Sequence, residues 1–129
     1  MKTSRVLIAE DEMVTAIFLK KIFEEAGCSV IDVVSSGEAA LESVSIERPD
    51  FIVMDIMLDG EIDGIETVRR IKLHQNIPVV YITASTDAES ITRAMDTSPV
   101  EYLAKPVQVP KVKMIIRKIN DLTRMIPLV

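Results

Sequence analysis

The chain alternates between two hydrophobic rhythms. Val6-Leu7-Ile8-Ala9 is a short unbroken apolar run, the pattern of a strand covered on both faces. From Met13 to Ala26 the apolar residues Val14, Ile17, Phe18, Ile22 and Ala26 recur at helical spacing, and Gly27 supplies a stop. Ser29–Val34 is rich in β-branched residues and predicts a second strand. Ser36 is placed to cap a helix over Glu38–Glu47, with Ala40, Leu41 and Val44 inward and Pro49 ending it. Phe51-Ile52-Val53-Met54 is a third buried run, and it ends at Asp55.

A Gly- and Asp-rich loop over 58–64 then leads to a helix near Ile65–His74, with Ile65, Val68, Ile71 and the stem of Lys72 toward the core. Pro78 opens a fourth strand, Ile77–Ile82, where its missing N–H is tolerated. Thr86 or Asp87 caps a helix that runs to about Met95, and Val100–Leu103 is a short fifth strand. Pro110 suits the first turn of a last helix whose Val112, Ile115, Ile116, Ile119 and Leu122 form an apolar stripe. Five strand–helix repeats predict an α/β fold, a doubly wound (βα)5 three-layer sandwich around a five-stranded parallel sheet. In such sheets chemistry collects beyond the carboxyl ends of the strands.

Composition narrows the picture. A 129-residue chain with 48% hydrophobic and 27% charged residues is one globular domain's worth and needs no covalent staples. A single cysteine, Cys28, excludes an internal disulfide and fits a reducing, cytoplasmic setting. No apolar run approaches the roughly 20 residues of a membrane span, and Val6–Ala9 is too short for a signal-peptide core. The net charge of −5, the absence of Trp and the lack of a basic cluster argue against direct nucleic-acid binding.

The predicted strand ends carry an unusual set. Glu10, Asp11 and Glu12 follow the first strand, Asp55 the third, Thr83 the fourth, and Lys105-Pro106 the fifth. Each alone is weak, since an Asp at a strand end is most often a cap and a Lys before Pro a solvated charge. Converging on one edge they are harder to dismiss. Carboxylates a few ångströms apart must take up protons or share a cation. Hard oxygen ligands with room for water suit Mg²⁺. A carboxylate beside such a cation can attack a phosphoryl group, with an ammonium and a hydroxyl spreading over its oxygens. The parts fit phosphoryl transfer to a carboxylate.

The segments VLIAEDE (6–12), DFIVMDIML (50–58), DGIE (63–66), IPVVYITAS (77–85) and EYLAKP (101–106) together resemble the receiver domains of two-component response regulators, including the stand-alone chemotaxis regulator. The resemblance runs along the whole chain and implies strand order 2-1-3-4-5. It implies Asp55 as phosphoacceptor, Glu10 and Asp11 as the acidic pair, and Lys105 as the phosphoryl-binding lysine, followed by an X-Pro bond that is often cis. Thr83 and Tyr102 become the switch pair. Mg²⁺ would be held by Asp11, Asp55 and the backbone carbonyl of Met57, with Glu10 acting through water. The donor would be a sensor histidine kinase or a phosphotransfer protein. Output would pass through the face made by the fourth helix, fifth strand and fifth helix, including Ile91, Met95 and Met114, to a downstream protein or a second receiver copy. Residues 1–129 read as one receiver domain without an effector domain, either stand-alone or cut from a longer protein.

The chain departs from the family pattern in three places. Glu10 stands where Asp is commoner, the loop IMLDGEIDG (56–64) is long and lacks a Pro, and Ser98-Pro99-Val100 replaces a frequent Gly-Ala before Tyr102. Three rival readings remain. A Mg²⁺-dependent phosphohydrolase with an Asp nucleophile would want a second acid near Asp55, where Met57 stands. A non-phosphorylated pseudo-receiver would not need the intact Asp11, Asp55, Thr83 and Lys105. A flavin-binding domain of similar topology would want a phosphate-cradling loop after the first strand. His74, at a predicted helix end, reads as a dipole partner rather than a relay histidine. Cys28 and most methionines, Met54 among them, read as core, and the basic residues of the last helix as a solvated face.

Overall fold

The computed structural model describes residues 3–124. Its first half runs β1 (Arg5–Ala9), α1 (Met13–Glu25), β2 (Ser29–Val34), α2 (Gly37–Glu47), β3 (Phe51–Met54). The second half runs α3 (Gly64–Lys72), β4 (Val79–Thr83), α4 (Ala88–Met95), β5 (Glu101–Ala104), α5 (Val109–Arg124). The strands form one parallel sheet in the order β2-β1-β3-β4-β5, as the resemblance implied.

Period-two alternation divides the inner strands between two cores. Val6, Ile8, Phe51, Val53, Val80 and Ile82 point to one side and pack on Leu19, Ile22 and Phe23 of α1 and Val112, Ile115 and Ile119 of α5. Leu7, Ala9, Ile52, Met54, Val79 and Tyr81 point to the other and meet Ala40, Val44, Ile65, Val68, Ile71 and Ala94 from α2, α3 and α4. β1, β3 and β4 are therefore apolar at nearly every position because both faces are covered. Truncating a fully buried side chain such as Phe51 in a core of this kind costs about 3–5 kcal/mol.

Helix starts follow local chemistry. Ser36 caps α2 by accepting from the Ala39 N–H, and Asp87 rather than Thr86 caps α4 by accepting from the Ser90 N–H. Glu12 caps α1, and Gly27, at φ +97, sits just past its end. α3 opens one residue earlier than its periodicity predicts, because Asp63 caps it, and it stops at Lys72 so that His74 lies beyond it, exposed.

α1 corrects the sequence reading. Its sheet-facing residues are Ala16, Leu19, Ile22 and Phe23, while Val14 is 73%, Ile17 62% and Phe18 47% exposed. Helical spacing finds a stripe but cannot choose between two, and MVTAIFLKKIFEE carries apolar residues on both. The stripe with Leu19 and Phe23 wins the core, Phe23 stacking obliquely on Phe51 at 6.0 Å. Leu122 of the predicted α5 stripe likewise stays 44% exposed, and Met114 is half-buried.

Cys28 is buried beside the α1–α5 core, and desolvation pushes its thiol from the ordinary 9 up to about 11. The raised pKa starves the folded protein of thiolate, the reactive form. At pH 8 a thiol-reactive disulfide reagent should label the native chain about a hundredfold more slowly than the denaturant-unfolded chain. Equal rates would show Cys28 to be accessible.

Candidate functional site

Strand register builds the site. β1 and β3 pair Ala9 with Met54, so Glu10 and Asp55 leave the sheet side by side, and the Asp55 N–H donates to the Ala9 carbonyl at 3.0 Å. β4 and β5 pair Thr83 with Ala104, and the Lys105 N–H donates to the Thr83 carbonyl at 2.9 Å. Glu10, Asp11, Asp55, Thr83 and Lys105 thus meet at one sheet edge, as the strand-end reading predicted.

Among the described residues, Glu10, Asp11 and Asp55 each bring a carboxylate oxygen within 4.8 Å of the others. Glu10 and Asp55 are buried and Asp11 is exposed. The Lys105 ammonium donates to Asp55 Oδ2 at 2.7 Å and forms a close ion pair with Glu10 Oε1. Glu10 Oε2 accepts from the Glu12 N–H at 3.1 Å. Burial raises the Glu10 pKa, and the nearby Lys105 only partly offsets it. Burial by itself would lower Lys105, but its contacts with Asp55 and Glu10 prevail and hold the ammonium above its usual range. An all-oxygen set of two buried acids and one exposed acid, short of positive charge, can coordinate a hard divalent cation.

The loops are packed closely around this edge. A Cβ on Gly64 would fall 1.9 Å from the Asp55 carbonyl oxygen, and the Gly64 N–H donates to the Ile56 carbonyl at 2.7 Å. Only glycine allows α3 to begin this close to the end of β3. Asp63 accepts from the Glu66 N–H through Oδ1 and pairs through Oδ2 with Arg93 of α4 at 3.2 Å. On the β4 side, Thr83 is fully buried and its Oγ1 accepts from the Ser85 N–H at 3.2 Å. The Tyr102 hydroxyl donates to the Ser85 carbonyl at 2.6 Å, and its ring lies 5.9 Å from that of Tyr81. The Lys105–Pro106 peptide is cis.

Comparison with known proteins identifies this arrangement. The family model of the response regulator receiver domain matches residues 6–117. The chain belongs to the response-regulator receiver family. The signal receiver domain of a modulated diguanylate cyclase from Desulfovibrio desulfuricans superposes on this receiver with a TM-score of 0.88 at 36% identity, over 95% of this chain and 98% of that one. The transcriptional regulatory protein PdtaR of Mycobacterium tuberculosis is 28% identical over 123 residues, 92% of this chain. The receiver spans only 60% of PdtaR's length. Sporulation initiation phosphotransferase F of Bacillus subtilis is 29% identical over 119 residues, 92% of this chain and 94% of that one.

Within the receiver, the long loop 56–64 and Ser98-Pro99-Val100 keep the fold and alter detail. Ser98 takes a left-handed φ of +55 just beyond a two-turn α4, and the Lys72 ammonium donates to the Thr97 and Ser98 carbonyls there. Sequence reasoning did not find the Asp63–Arg93 tie, Gly64's contact with Asp55 or the acceptor of Tyr102. Asp63 and Glu66 stand at the spacing of a capping box, a signal that could have revealed the first half of that tie. Among the described residues no helix is long and apolar enough to cross a membrane.

Proposed function

We propose that residues 1–129 form one receiver unit that accepts a phosphoryl group on Asp55 from a phosphohistidine of a sensor kinase or phosphotransfer protein and relays it as a change of surface. The observation that carries this reading is the buried Asp55 carboxylate, held 2.7 Å from Lys105 beside Glu10 and Asp11. An Asp55 oxygen forms the new bond to phosphorus, the bond from phosphorus to the donor's imidazole nitrogen breaks, and that nitrogen keeps the electron pair. Asp11, Asp55 and the Met57 carbonyl would hold Mg²⁺, with Glu10 acting through water, and the bound ion would offset negative charge on the phosphoryl oxygens. Lys105 neutralises one phosphoryl oxygen and the Thr83 hydroxyl donates to another.

Ser85 links the two switch residues, its N–H on Thr83 and its carbonyl on Tyr102. Drawing Thr83 toward phosphoryl oxygens releases the first bond and is felt at the second. The Tyr102 ring and the α4–β5–α5 face, with Ile91, Met95 and Met114, then shift toward the state that a downstream protein or second copy binds. The shift requires the phosphoryl group to bond the two Thr83 positions unequally.

The exposed stripe of α1 fits the donor. Val14 and Phe18 line a groove of about 270 Å³ with Lys105, Pro106 and Val107, so apolar surface continues to the rim of the Asp55 site. A donor must bring its phosphohistidine to that rim, and a helix pair with an apolar seam would cover Met13, Val14, Ile17 and Phe18.

Three outcomes are expected. Incubation with Mg²⁺ and phosphoramidate should add one phosphoryl group by intact mass, and Asp55→Asn should abolish it; equal labelling of the variant would refute the assignment. Thr83→Ala should still be labelled at Asp55, yet lose the NMR shift changes around Tyr102 that beryllofluoride produces in the parent; identical shifts in both would remove Thr83 from the relay. Phe18→Asp should slow transfer from a phosphorylated donor protein by about tenfold, the scale of one interfacial anchor, and leave labelling by phosphoramidate unchanged. A parallel loss with both donors would place the effect inside the site rather than at docking.

A further inference from the structure

The strand-end set omits β2, yet the start of α2 reaches the site's longest loop. The Ser36–Asp59 pair forms an isolated parallel bridge, and the Asp59 N–H donates to the Ser35 carbonyl at 3.2 Å. One residue later Gly60 turns at φ +93, and a Cβ there would fall 2.6 Å from a Glu38 carboxylate oxygen. The Glu61 N–H donates to Glu38 Oε2 at 3.2 Å. A Cβ on Gly37 would fall 2.1 Å from Thr67 Oγ1, so α2 begins hard against α3 and cannot drift from the loop.

We infer that Glu38 is a positioning residue for the metal site, holding the 56–64 loop in the place from which Met57 would offer its carbonyl to a cation bound by Asp11 and Asp55. The inference rests on the phosphoacceptor reading above. The loop leaves β3 at Asp55 and is fastened at two places, by Gly64 on the Ile56 carbonyl and by Asp59–Glu61 on α2. Met57 lies between the two fastenings, and its own N–H reaches Asp55 Oδ1 only at 3.4 Å. What holds Asp59 to Glu61 therefore limits how far Met57 can move beside Asp55. Of the two anchors between the end of β2 and the start of α2, the Ser35 carbonyl is backbone, and Glu38 is the side chain that sequence can change. A carboxylate accepting from a backbone N–H is among the stronger hydrogen bonds.

The test uses Glu38→Ala and Glu38→Gln, the second of which keeps an acceptor oxygen. Calorimetric titration with Mg²⁺ should show Glu38→Ala binding about fivefold more weakly than the parent, the scale of one hydrogen bond. Glu38→Gln should recover to within about twofold. Amide exchange at Glu61 in the metal-free protein should quicken in Glu38→Ala alone, while its melting temperature stays near that of the parent. If the parent binds Mg²⁺ and Glu38→Ala binds it equally well, the inference is overturned and the phosphoacceptor reading stands. If the parent itself neither binds Mg²⁺ nor is labelled at Asp55, both fall.

Discussion

One ammonium facing too many carboxylates governs this molecule. Lys105 reaches across the sheet edge from the end of β5 to two buried acids, Asp55 and Glu10, with Asp11 beyond them in water. Breaking a buried pair by removing one partner typically costs about 3–5 kcal/mol, because the remaining charge is left uncompensated. Here removal of the lysine would strand two. Three carboxyl groups still face one ammonium, an excess that favours added positive charge. Raising the Glu10 pKa relieves the excess in part. A divalent cation reached through exposed Asp11 would relieve the rest.

The fold makes such an imbalance tolerable by confining it to a rim. Between the two helical layers the inner strands expose almost nothing, and the acids and the lysine of the site stand just past the strands' carboxyl ends. The pairing of Ala9 with Met54 and of Thr83 with Ala104 decides which residues share that rim. A one-residue slip of β3 would exchange its two faces and carry Asp55 away from Glu10. The core therefore specifies the chemistry indirectly, by leaving each strand one place to end.

What could be read from sequence follows from this arrangement. Buried strands announce themselves as apolar runs, and residues at or just past their ends share one edge, so the meeting of Glu10, Asp11, Asp55, Thr83 and Lys105 was legible in the sequence. The resemblance to receivers added the strand order that the sheet shows, and the switch role proposed for Tyr102. The face of α1 was not legible, because two apolar stripes compete there and the choice depends on Phe51, distant in sequence. Nor was the contribution of Glu38. It lies a helix and a strand away from the loop it holds, and the one hint was the length of that loop with Gly60 at its turn. Contacts between a helix start and a loop leave no periodic trace.

The pairing of Tyr81 with Tyr102 has an optical consequence. The chain has two tyrosines and no tryptophan, so its near-ultraviolet emission comes from two rings 5.9 Å apart in one layer of the sandwich. Both phenols are hydrogen-bonded, Tyr81 with Thr97 near the end of α4 and Tyr102 with Ser85 above Thr83. The opposite layer, packed with Phe23 and Phe51, is dark by comparison. The unlabelled protein thus carries a chromophore pair at the junction of α4 and β5. Light emitted by the whole molecule reports on that junction.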